Sequence, residues 1–149
     1  MLVYTSGTFD LFHAGHVKFL RECRKLAGDG EVIVSLNRSE FIEEYKGKTP
    51  VMNDNERHDV LEACRYVDRV MWNIYGADSR KTIEAFFCKN NDERRFYPDL
   101  IVIGDDWAKK DYYAQMNFTQ EWLDEKGILL CYIPYTQGIS STNIKERLK

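Results

Sequence analysis

Two histidines lie close together near the start of the chain, within residues 7–16, whose sequence is GTFDLFHAGH. A short apolar run at residues 2–5 predicts a strand before this segment, and apolar residues at helical spacing over residues 16–27 predict a helix after it. His13 and His16 would then stand at a helix N-terminus, where imidazoles and free backbone N–H groups can donate to phosphate oxygens. Phosphoryl or nucleotidyl transfer requires donors of this kind, aimed at the charge that develops in the transition state.

A second polar motif, GISST, stands at residues 138–142, just before a predicted closing helix. The hydroxyls of Ser140, Ser141 and Thr142 could bind an anion with the helix-start amides, although the same residues could form an ordinary N-cap. An isolated H-x-x-H would likewise be two histidines without a ligand. Here the chain has only three histidines, and two of them flank Gly15, which lets a bulky ligand approach the backbone. We therefore favour phosphate binding.

Three further polar groups are candidates for a site. Arg57 and Arg65 lie eight residues apart on one predicted helix, close to one face. A YKGK segment that includes Lys46 predicts a flexible loop with two cations, and a GDDW segment with Asp105 ends a predicted strand. Taken singly, these groups are typical of solvated helix charges, a surface loop and an acidic turn. They indicate a functional site only in combination with the first two motifs.

Short apolar runs alternate with longer amphipathic stretches along the chain. We predict strands at residues 2–5, 31–36, 69–72, 100–104 and 128–133, and helices at 16–27, 54–65, 78–89, 118–126 and 141–148. This alternation predicts a single α/β domain over residues 1–149, with a Rossmann-like three-layer fold and a parallel five-stranded sheet. Ligands of such sheets bind beyond the carboxyl ends of the strands. The candidate residues follow those ends.

Composition narrows the functional classes. The net charge of −3 argues against a general nucleic-acid binder, which usually has a basic balance. The four cysteines form no C-x-x-C pair, so we interpret them as reduced thiols rather than zinc ligands. The sequence shows neither a signal peptide nor an apolar run long enough to span a bilayer. We expect a cytoplasmic protein with no membrane partner.

The motifs occur here in the order in which they occur in the cytidylyltransferase family. That family includes glycerol-3-phosphate, choline-phosphate and ethanolamine-phosphate cytidylyltransferases. The chain resembles it from about residue 3 to residue 145, and the pairing of H-x-G-H with GISST at opposite ends is highly specific. The middle segment KGKTPVMNDNERHDVLEACRYVDRV looks like the choline and ethanolamine branches, whereas GDDW looks like the glycerol-3-phosphate branch.

The resemblance implies a role for each matching position. His13 and His16 would hold the phosphates of CTP and stabilise the transition state, Lys46 would bridge the phosphates of both substrates, and Arg65 would act on the nucleotide side. The nucleotide-binding residues would be Gly7, Thr8, Phe9, Gly15, Thr136, Gly138, Ile139, Ser140, Ser141 and Thr142. The acceptor-binding residues would be Asp10, Lys46, Arg57, Asp105 and Trp107. The resemblance implies no metal ligand in the protein, since Mg²⁺ would be carried on the CTP phosphates.

Three departures from the family pattern concern substrate identity. Tyr135 stands where an Arg usually precedes the Thr136 position, so one phosphate-binding cation is missing or supplied elsewhere. Ser39 stands where an Asp often precedes Glu-Phe, which weakens a contact with an acceptor hydroxyl. Gly76 falls near the place of a Trp that belongs to the aromatic cage of the choline branch, although Trp72 and Tyr75 are close.

The expected reaction is transfer of CMP from CTP to a small phosphorylated alcohol, with release of pyrophosphate and glycerol 3-phosphate as the favoured acceptor. Phosphoethanolamine and phosphocholine remain alternatives. H-x-G-H also occurs in adenylyltransferases of pantetheine phosphate, nicotinate mononucleotide and flavin metabolism, so ATP remains a second nucleotide. A non-catalytic nucleotide-binding module is a further alternative. By analogy with the family, we expect a homodimer.

Overall fold

The computed structural model describes residues 1–87, 97–104, 116–134 and 138–149, which form five strands and six helices. The strands are β1 (Val3–Gly7), β2 (Val32–Leu36), β3 (Arg69–Trp72), β4 (Leu100–Gly104) and β5 (Leu129–Ile133). The helices are α1 (Ala14–Ala27), α2 (Ser39–Lys46), α3 (Asp54–Glu62), α4 (Ser79–Phe87), α5 (Gln120–Lys126) and α6 (Ser141–Arg147).

The five strands form one parallel sheet in the order β3-β2-β1-β4-β5. Val3 of β1 lies opposite Val32 of β2 on one side and Leu100 of β4 on the other, so β1 is the central strand. The strand order reverses around β1, because the chain moves outward to β3 and then returns to β4. The carboxyl edge at β1 and β4 is therefore the switch point where such sheets bind ligands.

Helices cover both faces of the sheet. On one face α1 and α3 contribute Leu20, Cys23 and Leu61 to the cores built on β1 and β2. On the other face α4 and α5 contribute Ile83 and Trp122 to a third core with Tyr4, Ile33, Ile101 and others. Successive strand residues alternate between these cores, as the pleat of a doubly covered sheet requires. The predicted fold class, a Rossmann-like three-layer α/β arrangement with a five-stranded parallel sheet, is confirmed.

Two local predictions were wrong. The YKGK segment expected to be a flexible loop is helical in its first half, because α2 ends at Lys46 with Gly47 in the left-handed conformation (φ 68°) as its C-cap. The helix expected over residues 54–65 ends at Glu62, because Cys64 and Val67 turn the chain towards β3. Arg57 and Arg65 therefore do not share a helix. Within the described residues, no helix is long and apolar enough to cross a membrane.

Candidate active site

The loop between β1 and α1 is tightly wound over the carboxyl end of the central strand. Phe9 and Leu11 have positive φ angles of 52° and 49°, which non-glycine residues adopt only at some cost. The Phe9 ring is buried against the core and lies over Gly7, where a Cβ would approach the ring to 2.8 Å. Gly7 is therefore required for the shape of this loop.

His13 and His16 cap α1 with their own imidazoles. His13 is the N-cap residue, and its Nδ1 accepts from the Gly15 backbone N–H at 3.0 Å, while His16 Nδ1 accepts from the His13 backbone N–H at 3.2 Å. A nitrogen that accepts cannot carry the proton of a neutral imidazole. Both rings therefore present an Nε2–H donor. The rings stack with their centroids 3.8 Å apart, so the two imidazoles lie side by side at the start of α1.

The surroundings keep both imidazoles neutral. Burial lowers the pKa of His13. Burial, with a smaller contribution from the neighbouring His13, lowers the pKa of His16 to about 3, although the Asp10 charge opposes this shift. The rings of Phe9 and Phe12 lie with their centroids 5.2 and 5.4 Å from that of His16. In the unliganded protein at neutral pH, the site thus offers two uncharged N–H donors.

The C-terminal motif meets the histidine loop directly. A Cβ on Gly15 would lie 2.8 Å from His13 Cε1 and 3.2 Å from Ile139 Cγ2, so Ile139 packs where α1 begins. The Ser141 hydroxyl donates to the Asp10 carbonyl at 2.6 Å, across 131 positions of sequence. Ser140 is the N-cap of α6, and its Oγ accepts from the Asn143 N–H. The fold thus joins the two motifs that the sequence separates.

The carboxylate of Asp10 is engaged by the chain itself. Asp10 is 7% exposed, and its two oxygens accept from the backbone N–H groups of Val51 and Met52 at 2.8 and 2.9 Å. Lys145 Nζ lies 3.9 Å from the same carboxylate. Asp10 therefore fixes the segment before α3 over the histidine loop. A contact between its carboxylate and an acceptor hydroxyl stays a prediction.

Arg57 is fully buried, and its guanidinium is surrounded by acceptors of the chain. Its five bonds go to Met52 O (3.1 Å), Thr8 O (3.1 Å), Asn37 O (2.7 Å), Ser39 Oγ (3.2 Å) and Asp54 Oδ1 (2.5 Å). A guanidinium has five N–H donors. The predicted contact with a substrate phosphate would need one of these bonds to open.

Lys46 and Arg65 lie at the surface. Lys46 ends α2, with its Nζ 5.5 Å from the centroid of the Tyr45 ring. Arg65 donates to the Tyr66 hydroxyl at 2.8 Å and stacks on its ring, and Arg21 also donates to that hydroxyl. The contacts of these two cations are with Tyr45 and Tyr66 and not with His13 or His16. Their predicted roles would need side-chain movement when substrates bind.

Ser39 stands where the family often has an Asp, but the carboxylate of Asp54 lies directly beside Ser39. Asp54 Oδ1 accepts from both the N–H and the hydroxyl of Ser39, at 2.8 and 2.7 Å. Burial alone would raise the pKa of the Asp54 carboxyl, but these bonds and the Arg57 charge outweigh it and lower the pKa. The other sequence candidates Thr136, Asp105 and Trp107, with the departure at Tyr135, lie outside the described residues.

Sequence reasoning missed a buried polar network at the carboxyl edge. Asn73 follows β3, and its Nδ2 donates to Asn37 Oδ1 at 2.8 Å, while the Thr82 hydroxyl donates to Asn73 Oδ1 at 2.9 Å. Asn37 follows β2, and its Nδ2 lies 3.4 Å from Thr8 Oγ1. A readable signal existed, because an Asn comes directly after each of two predicted strands. Both side chains are buried at the carboxyl edge, where they are bonded to each other.

Three aromatic rings near this edge already carry cations of the chain. Arg38 lies 4.6 Å from the centroid of the Trp72 ring, which is also stacked with His58. Lys81 lies 4.5 Å from the centroid of the Tyr75 ring. Lys46 is paired with Tyr45 in the same way, as described above. At Gly76, where φ is 57°, a Cβ would approach the Phe41 ring to 2.9 Å, so any side chain at this position would strain the backbone and displace that ring.

A family model described as cytidylyltransferase-like matches residues 4–147, almost the whole chain and both motifs. The chain belongs to the cytidylyltransferase-like family. Glycerol-3-phosphate cytidylyltransferase of Bacillus subtilis (strain 168) is 34% identical over 146 residues, which cover 98% of this chain and 95% of that protein. The homologues also include ethanolamine-phosphate and choline-phosphate cytidylyltransferases of mouse and rat. The resemblance identified from the motifs is confirmed.

Flavin enzymes are just as similar. The FAD synthase of Korarchaeum cryptofilum (strain OPF8) is 31% identical over 149 residues, covering 98% of this chain and 90% of that protein. Among solved structures, the lipopolysaccharide core biosynthesis protein from Thermoplasma volcanium GSS1 superposes with a TM-score of 0.63 at 28% identity. The match covers 90% of this chain and 94% of that chain. The family and its fold are established, whereas the substrates are not distinguished by these similarities.

Proposed function

We propose that this protein transfers CMP from CTP to a small phosphorylated alcohol, with glycerol 3-phosphate as the favoured acceptor. The observation that carries the proposal is the junction of the two motifs, where Gly15 lies between the His13 ring and the Ile139 side chain. It places a pair of neutral N–H donors beside a Ser-rich helix start. Such a site is suited to an extended polyphosphate at the carboxyl edge of the sheet.

In this mechanism a phosphate oxygen of the acceptor attacks the α-phosphorus of CTP in line. The new P–O bond forms as the bond to the β-phosphate oxygen breaks, and pyrophosphate leaves with the electron pair. No covalent enzyme intermediate is needed. The Nε2–H groups of His13 and His16 stabilise the charge on the transferring phosphoryl group without losing their protons. Lys46 would bridge the two substrates after its side chain turns inward, and Arg65 would bind the nucleotide side.

Mg²⁺ would be bound mainly by the phosphates of the nucleotide rather than by side chains of the protein. Mg²⁺ prefers oxygen ligands and retains several waters, so it is usually held through substrate phosphates. Within the described residues, the two motifs bring together the imidazoles of His13 and His16 and the hydroxyls of Ser140 and Ser141. The Asp10 carboxylate is engaged by Val51 and Met52. The cation would neutralise charge on the CTP phosphates, and the chain's own residues would position them.

The occupied aromatic faces support an acceptor without a cationic head. A quaternary amine gains most from open aromatic faces, each contributing about 0.5–2 kcal/mol. Here Arg38 covers Trp72 and Lys81 covers Tyr75, and the same cations would repel an ammonium group. A polyol phosphate would avoid this repulsion. The acceptor is therefore a hydroxylated phosphate, with phosphoethanolamine as the nearest rival.

Adenylyl transfer to a flavin phosphate is the second candidate. The similarity to FAD synthase over 98% of the chain supports it as strongly as overall identity supports the first. The arguments for CTP are the GISST motif and the segment RYVD at residues 65–68, which resemble the cytidylyl branch. We further propose a cytoplasmic homodimer with no nucleic-acid or membrane partner.

The experiment is a panel of pyrophosphate-release assays with Mg²⁺. CTP and ATP are each combined with glycerol 3-phosphate, phosphoethanolamine, phosphocholine and flavin mononucleotide, and kcat/KM is measured for each pair. We expect the highest value for CTP with glycerol 3-phosphate. A clear preference for phosphocholine would overturn the acceptor assignment, and a preference for ATP with the flavin would replace the proposed function by its rival. Inactivity with every pair would contradict the enzyme assignment for these substrates.

A further inference from the structure

The buried guanidinium of Arg57 connects segments that come from different parts of the fold. Through its bonds to backbone carbonyls it holds Thr8 in the loop after β1, Asn37 after β2 and Met52 before α3. Its remaining bonds reach Ser39 and Asp54. These segments carry the predicted nucleotide side and the predicted acceptor side. One side chain therefore sets the distance between the two halves of the site.

The same side chain is poorly placed to bind a substrate. Arg57 has no exposed surface, and each of its five N–H donors has a partner in the chain. A phosphate could reach it only after a buried backbone carbonyl or the Asp54 carboxylate lost its partner, and leaving such a group unsatisfied is unfavourable. Substrate contact and the observed network are thus mutually exclusive uses of this guanidinium.

The polar network extends the connection to the far edge of the sheet. Arg57 donates to the backbone oxygen of Asn37, and the side chain of Asn37 accepts from Asn73. Asn73 also donates to the Gly76 carbonyl and accepts from the Thr82 hydroxyl. The loop after β3 is thereby linked to the loop after β1. A displacement of Arg57 would therefore shift both the loop after β1 and the loop after β3.

We infer that Arg57 is a positioning residue that ties the nucleotide loop to the acceptor-side loops, and not a ligand of the substrate phosphate. The kinetic part of this inference rests on the proposed function, whereas its structural part does not. A planar guanidinium is required because its donors point in fixed directions to several oxygens at once. Lysine keeps the charge but cannot reproduce those directions.

The test compares Arg57→Lys, Arg57→Ala and Asp54→Asn with Asp59→Asn as the matched control. Asp54 and Asp59 lie on the same helix, but Asp59 is 80% exposed and makes no contact with Arg57. Asp54→Asn removes the charge that holds the guanidinium and keeps an oxygen for Ser39. It serves as the main variant if either Arg57 variant fails to fold.

Three readouts are used, namely hydrogen–deuterium exchange, the dissociation constant for CTP and kcat, and only kcat needs turnover. Hydrogen–deuterium exchange of the unliganded protein should rise about tenfold in peptides covering residues 7–16 and 50–53 of Asp54→Asn, since a charge-assisted bond is lost. Peptides from β4 and the Asp59→Asn protein should exchange like wild type. The dissociation constant for CTP alone should rise about tenfold, and kcat should fall about 10²-fold as the reacting groups are displaced. Arg57→Lys should be as impaired as Arg57→Ala.

The opposite pattern would overturn the inference. If Arg57 bound the acceptor phosphate, Asp54→Asn would free its charge and lower the acceptor KM, CTP affinity and loop exchange would stay unchanged, and Arg57→Lys would retain activity. If wild type shows no turnover with any CTP pair, the proposed function fails. The exchange data would then still decide the role of Arg57, because an unchanged loop in Asp54→Asn would contradict positioning.

Discussion

The two imidazoles of the H-x-G-H motif each have two different tasks. Their Nδ1 atoms accept from backbone N–H groups at the start of α1, and their Nε2–H groups are left for a ligand. The helix cap therefore fixes the tautomer that the chemistry needs. The sequence alone indicated a phosphate site at these residues. It could not assign the tautomers, because they depend on hydrogen-bond geometry within the folded turn.

Substitutions at His16 can test separately the helix-capping role of its Nδ1 atom and the donor role of its Nε2–H group. Asn can place an oxygen near the Nδ1 position but offers no donor at the Nε2 position, whereas Gln can place an N–H near Nε2. We expect His16→Asn to keep wild-type stability within about 1 kcal/mol, since one neutral hydrogen bond contributes about that much. Its kcat should fall about 10²–10³-fold through loss of a transition-state donor.

His16→Gln should retain more activity than His16→Asn, and His58→Asn on α3 is the control that should leave turnover unchanged. The measurements are kcat from pyrophosphate release and the free energy of unfolding in urea. Near-normal turnover of His16→Asn would show that the Nε2–H donor is not used.

The lowered pKa of His16 also makes stability depend on pH in a defined direction. An unfolded His titrates near pH 6.5, whereas the folded His16 has a pKa of about 3. Between these values the unfolded chain binds more protons, so stability falls as pH falls through this window and is constant on either side of it. The contribution of this one group to the slope is at most about 1.4 kcal/mol per pH unit.

We expect the unfolding free energy of wild type to decrease more steeply than that of His16→Gln between pH 6 and pH 4. Carboxylates distant from His16 are common to both proteins, so the difference between the two slopes reports mainly on the imidazole. Urea unfolding at half-unit pH intervals measures it. Parallel curves would mean that His16 is not held neutral by its surroundings.

At the scale of the elements, the site depends on the contact between the β1–α1 loop and the start of α6. The motifs predicted that both segments bind phosphate, and parallel topology predicted that they share an edge. Their direct packing could not be predicted, because it rests on the missing side chain of Gly15. Helix α2 was also missed, since its short sequence around Lys46 is charged and glycine follows it.

Gly15→Ala tests this contact. A methyl group would lie 2.8 Å from the His13 ring and 3.2 Å from Ile139, so either the ring or the C-terminal motif must move. A displacement near 1 Å at reacting groups can lower the rate about 10²-fold. Ala14→Ser, at the exposed neighbouring position, should leave kcat unchanged. Steady-state kinetics with CTP distinguish the two, and wild-type kcat/KM in Gly15→Ala would contradict a shared site.

At the scale of the whole molecule, the alternation of strands and helices was enough to predict the sheet and its two covered faces. Topology then placed His13, Asn37 and Asn73 at one edge. The use of Arg57 as an internal connection could not be read from its spacing to Arg65, because burial depends on how α3 packs. Substrate identity is hardest to predict, since Ser39 and Asp54 show that one carboxylate can be supplied from either of two segments.

The central claim is that this site joins CMP to an acceptor phosphate. The most direct measurement is ³¹P NMR of the wild-type protein with CTP, Mg²⁺ and glycerol 3-phosphate. We predict that the β-phosphate triplet of CTP disappears as a pyrophosphate singlet and the paired resonances of a diphosphate diester grow in equal amounts. An unchanged CTP spectrum, while ATP with flavin mononucleotide is converted to pyrophosphate and a dinucleotide, would contradict the account.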